Sequence, residues 1–455
     1  MSLAGPQPVS SNPALRLFQD LRGERAATVP FPPGETDFNI KRTRQVLHDP
    51  LGVLLPAYER YGPIFTLRLF HGKTVFMLGP EANHYMLVSH ARNFSWRDGH
   101  FGDLIPLLGD GLLTIDGEFH RRSRKIMLPA FHRERITAAT ETMVEEAEAA
   151  IGGWRAGDEL DLYHWTRALA LRIAMRALFG FDPSIAAGTH DAAEQFERAL
   201  SFWSREYILQ IARGPRTPWA QMRKARAALD ALIYSEIDRR RKSGERGMDI
   251  LSLLLDAEDE DGQRLSKTHL RDEVMTLLFA GHDTTTSTIT FLFYELSRAA
   301  NGAEWADRAA NDPADLELCL DETLRLYPPA WIGPRRAIDS FEFNGHTCPA
   351  AAYVNYVSWA SHRLPDVWDE PTTFRPERFA PGEHEKIPKG AYVPFGAGSR
   401  TCIGMRFGQQ EIRVLAGRIL RDFRLDVPPD YRLRIRQSPT IGPKDGLPVR
   451  LRAAA

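Results

Sequence analysis

The run from Lys267 to about Arg298 keeps helical patterning throughout, and at 1.5 Å per residue it spans roughly 45 Å. An element of that length commits the chain to a helix-rich architecture. Amphipathic runs at Ile136 to Ile151, Leu160 to Phe179 and Ala220 to Arg241 point the same way, because their apolar residues recur at helical spacing. Strands are few. Ile64 to Phe70 and Thr74 to Leu78 read as two strands around a His71-Gly72-Lys73 loop. After Pro328-Pro329, short strands are expected near Phe341 to Phe343 and Ala352 to Val357. His362 to Phe395 is proline-rich and irregular, and a last helix is expected from Ile403 to Arg421. Val29-Pro30-Phe31-Pro32-Pro33-Gly34 is poor in amide donors and helical continuity. Residues 1–34 are therefore expected as an extended Pro-rich lead-in, and 35–455 as one domain, mainly α with small β-sheets.

The length of 455 residues, with 43% hydrophobic and 26% charged residues, suffices for a large core without disulfide or metal staples. Lys and Arg number 58 against 59 Asp and Glu, a formal charge of -1, which argues against a whole-protein nucleic-acid or polybasic membrane role. Three cysteines, Cys319, Cys348 and Cys402, are too few and too scattered for a zinc cluster or a disulfide framework, which suits a reducing compartment. Met1 to Pro6 carries no signal-peptide pattern, and no stretch approaches the roughly 20 apolar residues of a transmembrane helix. A soluble, cytoplasmic protein is expected. Internal repeats and low-complexity segments are absent.

The chemistry concentrates at Pro394 to Gly404, where Gly396, Ala397 and Gly398 make a tight loop before the last helix, with Cys402 at the helix start. Unpaired amides and the positive end of the helix dipole lower the cost of a thiolate there. A thiolate is a ligand that haem iron accepts. The plain alternative is a buried structural cysteine. The whole stretch Phe395 to Gly404 resembles the haem-binding loop of the cytochrome P-450 family. The resemblance implies that Phe395 packs near the ligand, Gly396, Gly398 and Gly404 shape the loop, Arg400 meets a propionate, and Cys402 ligates the iron as the metal site.

Three further motifs follow the order of that family. Ala280-Gly281-His282-Asp283-Thr284-Thr285 interrupts the long helical run with weak helix formers, and Thr284 is positioned to divert a backbone hydrogen bond and open a bulge. The resemblance makes Ala280 and Gly281 the wall of an oxygen-binding groove, and Asp283 and Thr284 a catalytic acid and alcohol pair that delivers protons. Glu322 and Arg325, at i and i+3, form with Arg378 the structural triad that the resemblance implies. Asp116 to Lys125 resembles the helix that contacts haem propionates, with His120 and Arg124 on one face. Many relatives have tryptophan where this chain has His120. Arg335 matches a further propionate contact.

The resemblance covers about the whole chain and implies the cytochrome P-450 fold, with haem b (iron protoporphyrin IX) between the long central helix and the cysteine loop. It implies a haem-thiolate monooxygenase that hydroxylates or epoxidises an apolar substrate of the fatty acid, terpenoid, steroid or polyketide class, with dioxygen as co-substrate. No reductase domain follows the last strand near Leu451, so electrons are expected from a separate NAD(P)H-linked system. Its ferredoxin or flavodoxin-type donor is expected to dock near Arg121, Arg122 and Lys125 of a monomeric enzyme. Pocket candidates are Phe101, Leu104, Ile105, Leu107, Leu108, Ala330, Trp331, Ile332 and Ile441. A haem-thiolate peroxygenase or isomerase, or a haem-based binding protein, is the rival reading, and the Asp283-Thr284 pair argues against both.

Overall fold

In the computed structural model, residues 6, 12–181, 189–203, 205, 207–258 and 262–454 are described. The long helix runs Lys267–Arg298, with the expected bounds, and Ser266 caps it by accepting the His269 amide. Most of its side chains are buried, so this central helix threads the core. The helix Leu162–Ile173 lies against it and continues as a wider π turn, Ala174–Leu178, in place of the uniform helix expected to Phe179. Arg133–Ile151 and the terminal helix Met405–Asp422 pack together on another side.

Residues 13–25 depart from the extended lead-in. They form a helix, Pro13–Arg25, whose Asn12 side chain accepts the Ala14 amide at 3.0 Å. Asparagine before proline is a helix-start signal as well as a turn signal, and Arg22 and Arg25 suit the negative end of the dipole. Residues 1–5 and 7–11 of the expected lead-in lie outside the described residues. The extended reading holds further on, where Gly34–Glu35 pairs in parallel with Thr66 and Leu67. Gly34 is required there, because a Cβ would stand 1.9 Å from the Thr66 carbonyl oxygen.

The hairpin consists of Ile64–Leu69 and Gly72–Met77, a tighter turn than the three-residue loop expected, with Phe70 in the left-handed region. Its second strand pairs in parallel with Tyr353–Tyr356, which pairs in turn with Gly333–Ala337. One six-stranded sheet thus joins the first quarter of the chain to the segment after Pro328-Pro329.

Glu322 and Arg325 have no exposed side-chain surface and form a two-pronged ion pair, both contacts 2.7 Å. Arg378 reaches the same carboxylate at 3.3 Å, so the three residues expected to meet do meet. Arg325 also donates to the carbonyls of His362 and Pro371, each at 2.8 Å. Buried charges persist only when each is paired and hydrogen-bonded, and here the carboxylate serves two guanidiniums. Glu322→Ala strands both cations, so a loss of roughly 3–5 kcal/mol is expected. Urea unfolding of the variant measures it, and a midpoint equal to wild type contradicts the assignment.

Candidate active site around Cys402

The loop that carries Cys402 is shaped by two left-handed glycines, Gly396 (φ 69) and Gly398 (φ 64). A Cβ on Gly398 would lie 2.3 Å from the Leu87 carbonyl oxygen, so no other residue fits that approach. The Cys402 amide donates to the Phe395 carbonyl at 2.9 Å and closes the loop. The terminal helix begins only at Met405, so Cys402 precedes it instead of sitting in its first turn. This corrects the helix-start expectation. Burial raises the thiol pKa, against the opposing effects of the Gly404 amide and the Arg124 charge. The protein alone therefore favours the thiol, and a bound metal cation is needed to hold the thiolate. Cys402 nevertheless keeps accessible surface. Both observations fit a sulfur that faces an interior space and not bulk water.

Cations gather around this space. His120 is buried, and burial followed by the charges of Arg400 and Arg124 pushes it down to about 3, so its imidazole is neutral at pH 7. Arg124 feels the Cys402 sulfur electrostatically. Arg400 donates to the carbonyls of Leu112 and Ile115 and to Asp116 at 2.6 Å. Arg335 is 2% exposed, donates to the Pro334 carbonyl through Nη1, and leaves Nη2 buried without a partner. Burial pushes both Arg335 and Arg400 down to about 10. Three arginines thus face one region, in which the Asp116 carboxylate bonds Arg400. The surplus positive charge suits a ligand with two carboxylates.

The central helix presents one open face to the interior. Ala280 is exposed and Gly281 and Thr284 are half-buried, although their helical neighbours are sealed. Positions i, i+1 and i+4 share a face, and nothing lies within 4 Å of a Cβ built on Gly281. The helix is continuous here, without the expected bulge: the Thr284 hydroxyl donates to the Ala280 carbonyl at 2.7 Å and leaves the helix unbroken. The groove comes from small side chains. Asp283 points elsewhere, into an ion pair with Arg167. Arg167 also holds Glu197 at 2.8 Å, and His282 stands 3.2 Å from the same carboxylate. Burial is outweighed at Glu197 by His282 and Arg167, which bring it down to about 2.

Sequence reading missed four residues of this centre. Arg167 and Glu197 looked like ordinary charges on amphipathic helices. His362, in the irregular stretch, accepts the Val393 amide at 3.0 Å through Nε2 and lies 3.2 Å from the Arg325 carbonyl through Nδ1. That pairing fixes the proton on Nδ1 and ties the triad to the cysteine loop. Glu411 is buried on the terminal helix, where Thr285 donates to it at 3.4 Å and its other oxygen has no partner. Its spacing from Cys402 carries no local signal. Among the pocket candidates, Phe101, Ile105, Ala330, Trp331 and Ile332 keep accessible surface. Leu104 is nearly sealed at 8%, and Leu107, Leu108 and Ile441 are completely sealed in the core, so these four are packing residues and not pocket walls in this structure.

The comparisons agree with this geometry. The cytochrome P450 family model matches residues 33–301 and 315–444. The chain belongs to the cytochrome P450 family. It is a P450 monooxygenase, mostly helical with small sheets. Cyclooctatin synthase of Streptomyces melanosporofaciens is 34% identical over 419 residues, covering 87% of this chain and 90% of that one. Cyclooctat-9-en-7-ol 5-monooxygenase from the same organism is 32% identical over 423 residues, covering 88% and 90%. The solved structure of a retinoic-acid-bound cyanobacterial P450, CYP120A1, superimposes with a TM-score of 0.81 at 28% identity, covering 94% of this chain and all of that one. The family implies haem, and the residues fit it: an accessible sulfur, an open small-residue face, and an unpaired buried Arg335 donor among surplus cations. No described helix is long and apolar enough to cross a membrane.

Burial raises Glu411 from 4.5 to about 8. The folded P450 then holds a proton that the unfolded chain releases, so this contribution to stability is present at acid pH and is lost as pH rises from about 4.5 through 8. Glu411→Gln keeps an acceptor for Thr285 without the titration. Its melting temperature relative to wild type is expected to rise by roughly a few degrees between pH 5 and pH 8.5, and a difference that is flat with pH contradicts the shift.

Proposed function

We propose that this monooxygenase hydroxylates or epoxidises an apolar organic substrate, with a cyclic terpenoid as the first class to test, and that residues 35–455 form one haem domain. The observation that carries the reading is the open Ala280, Gly281 and Thr284 face of the central helix, in a protein whose Cys402 faces an interior space. Phe101, Ile105, Trp331 and Ile332 supply accessible apolar surface suited to such a substrate. The two Streptomyces relatives, named for cyclooctatin chemistry, support the terpenoid class.

In this reading the Cys402 sulfur would ligate the haem iron, and His120, Arg124, Arg335 and Arg400 would hold the propionates. Phe395 and Gly396 shape the ligand loop, and Gly404 directs its amide to the sulfur. The haem, when bound, supplies the oxidising chemistry with dioxygen and two external electrons. The protein's part is to exclude water and to place protons. The Thr284 hydroxyl holds a proton at the groove, and its Oγ is anchored by the Ala280 carbonyl. Asp283 supplies protons only when it leaves Arg167, since the carboxylate is held away from the groove. Glu197, partly exposed at 39%, links this pair to the surface.

The electron donor is proposed to dock on the face that carries Arg121, Arg122 and Lys125. Arg121 shares part of its charge with Glu118. An open groove of about 940 Å³ lies between Arg133–Ile151 and Met405–Asp422, lined by Arg133, Arg406 and Arg413, by Glu141 and Glu145, and by Ile136, Val144 and Met405. Its mixed charge leaves the basic strip of Arg121, Arg122 and Lys125 as the part that suits an acidic iron–sulfur or flavin protein.

Cys402→Ala is expected to abolish the red-shifted Soret band of the ferrous carbon monoxide complex. Thr284→Ala should keep that band and keep consuming reductant, while product per reductant falls at least about tenfold and peroxide appears. Coupling is read with whichever of a cyclic terpenoid, fatty acid, steroid or polyketide shifts the ferric spectrum most. Unaltered coupling in a haem-replete Thr284→Ala enzyme removes the proton role, and a strongest response to a linear fatty acid removes the terpenoid class.

The first-electron rate with an acidic ferredoxin should fall several-fold as ionic strength rises past roughly 0.1 M, where the Debye length nears 10 Å. The Arg121→Glu, Lys125→Glu variant should lose most of that salt dependence, and stopped-flow reduction measures both.

A further inference from the structure

Trp96 is a half-buried indole outside every motif above, yet two of the three arginines of the cation cluster lie against it. The Arg335 guanidinium carbon is 3.5 Å from its ring centroid and that of Arg400 is 4.9 Å away. Phe101 stacks on the same ring at 4.8 Å. Two guanidiniums beside one another repel, and the Arg335 charge contributes to the lowered pKa of Arg400. Asp116 accepts from Arg400 alone of the two. Arg335 has no carboxylate partner of its own and leaves Nη2 without an acceptor. Asp116 acts on Arg335 only through space, and the negative faces of the surrounding rings add counter-charge at close range, with Trp96 the nearest, Tyr356 at 5.4 Å and Phe101 at 5.6 Å.

The indole is itself fixed. The Trp96 amide donates to Asp116 at 3.1 Å, the Arg97 amide at 2.9 Å and the Ser95 hydroxyl at 2.7 Å. Asp116 therefore sets the backbone beneath the ring and one of the two cations beside it. We propose that Trp96 is a positioning residue that holds the guanidiniums of Arg335 and Arg400 side by side, aimed at the two haem propionates. The inference rests on the propionate assignment above and adds the residue that makes that pair of cations compatible.

Transfer of haem from the ferric enzyme to excess apomyoglobin, followed in the Soret region, tests it. Trp96→Leu is expected to speed transfer about tenfold, and Trp96→Phe, which keeps a weaker ring face, to give an intermediate rate. The ferrous carbon monoxide band of a thiolate-ligated haem persists in both. In an Arg335→Gln background, which itself transfers haem faster, the change at Trp96 should add little. Should Trp96→Leu fail to retain haem on purification, Trp96→Phe against wild type in the two backgrounds supplies the same comparison. A wild-type rate in Trp96→Leu, or an equal acceleration in both backgrounds, overturns the proposal. A wild-type rate in Arg335→Gln overturns the propionate assignment, and the Trp96 proposal with it.

Discussion

The architecture around the haem site depends on a carboxylate with no access to solvent. Glu322 neutralises Arg325 and Arg378, and Arg325 spends its remaining donors on carbonyls of the irregular segment that follows His362. A segment with little helix or strand has few backbone bonds of its own, so these side-chain bonds substitute for secondary structure. His362 extends the network by accepting the Val393 amide just ahead of the cysteine loop. The position of the Cys402 loop is thus inherited in part from an ion pair on another helix.

Much of this was legible in the sequence because it is encoded locally. The glycines and cysteine of the loop, the small residues inside the central helix, and the Glu322 and Arg325 spacing are read from neighbours within a few positions. What was not legible is encoded by tertiary contact. Arg167 meets Asp283, Glu411 meets Thr285, and Trp96 meets two arginines from strands and loops remote in the chain. No periodicity announces such meetings. The N-terminal helix is a different case: the extended lead-in rests on Val29 to Gly34, while Asn12-Pro13, a local cap and first-turn signal, lies well before it. Leu104, Leu107, Leu108 and Ile441 show the limit of apolar patterning: an apolar stripe predicts burial, and only the structure tells core from cavity wall.

The acid and alcohol of the groove are adjacent in sequence and face different surroundings. Thr284 opens on the interior, whereas Asp283 is committed to Arg167, with Glu197 and His282 beyond it. Adjacent residues on a helix diverge by about 100°, so one pair of positions serves two compartments. The helix itself keeps the open small-residue face apart from the buried ion-pair cluster.

The sheet that carries Arg335 has a consequence for how the enzyme is made. Thr74 to Met77 must wait for Tyr353 to Tyr356 before its outer edge is paired, and the partner strand leaves the ribosome long after the hairpin. Such distant pairing slows folding and leaves an exposed strand edge in the nascent chain, the kind of surface on which chains aggregate. The strand that carries Arg335 pairs with that late strand as well. The hairpin edge therefore stays open until the last quarter of the chain is made, and an interruption of folding before that point leaves it as a surface for aggregation.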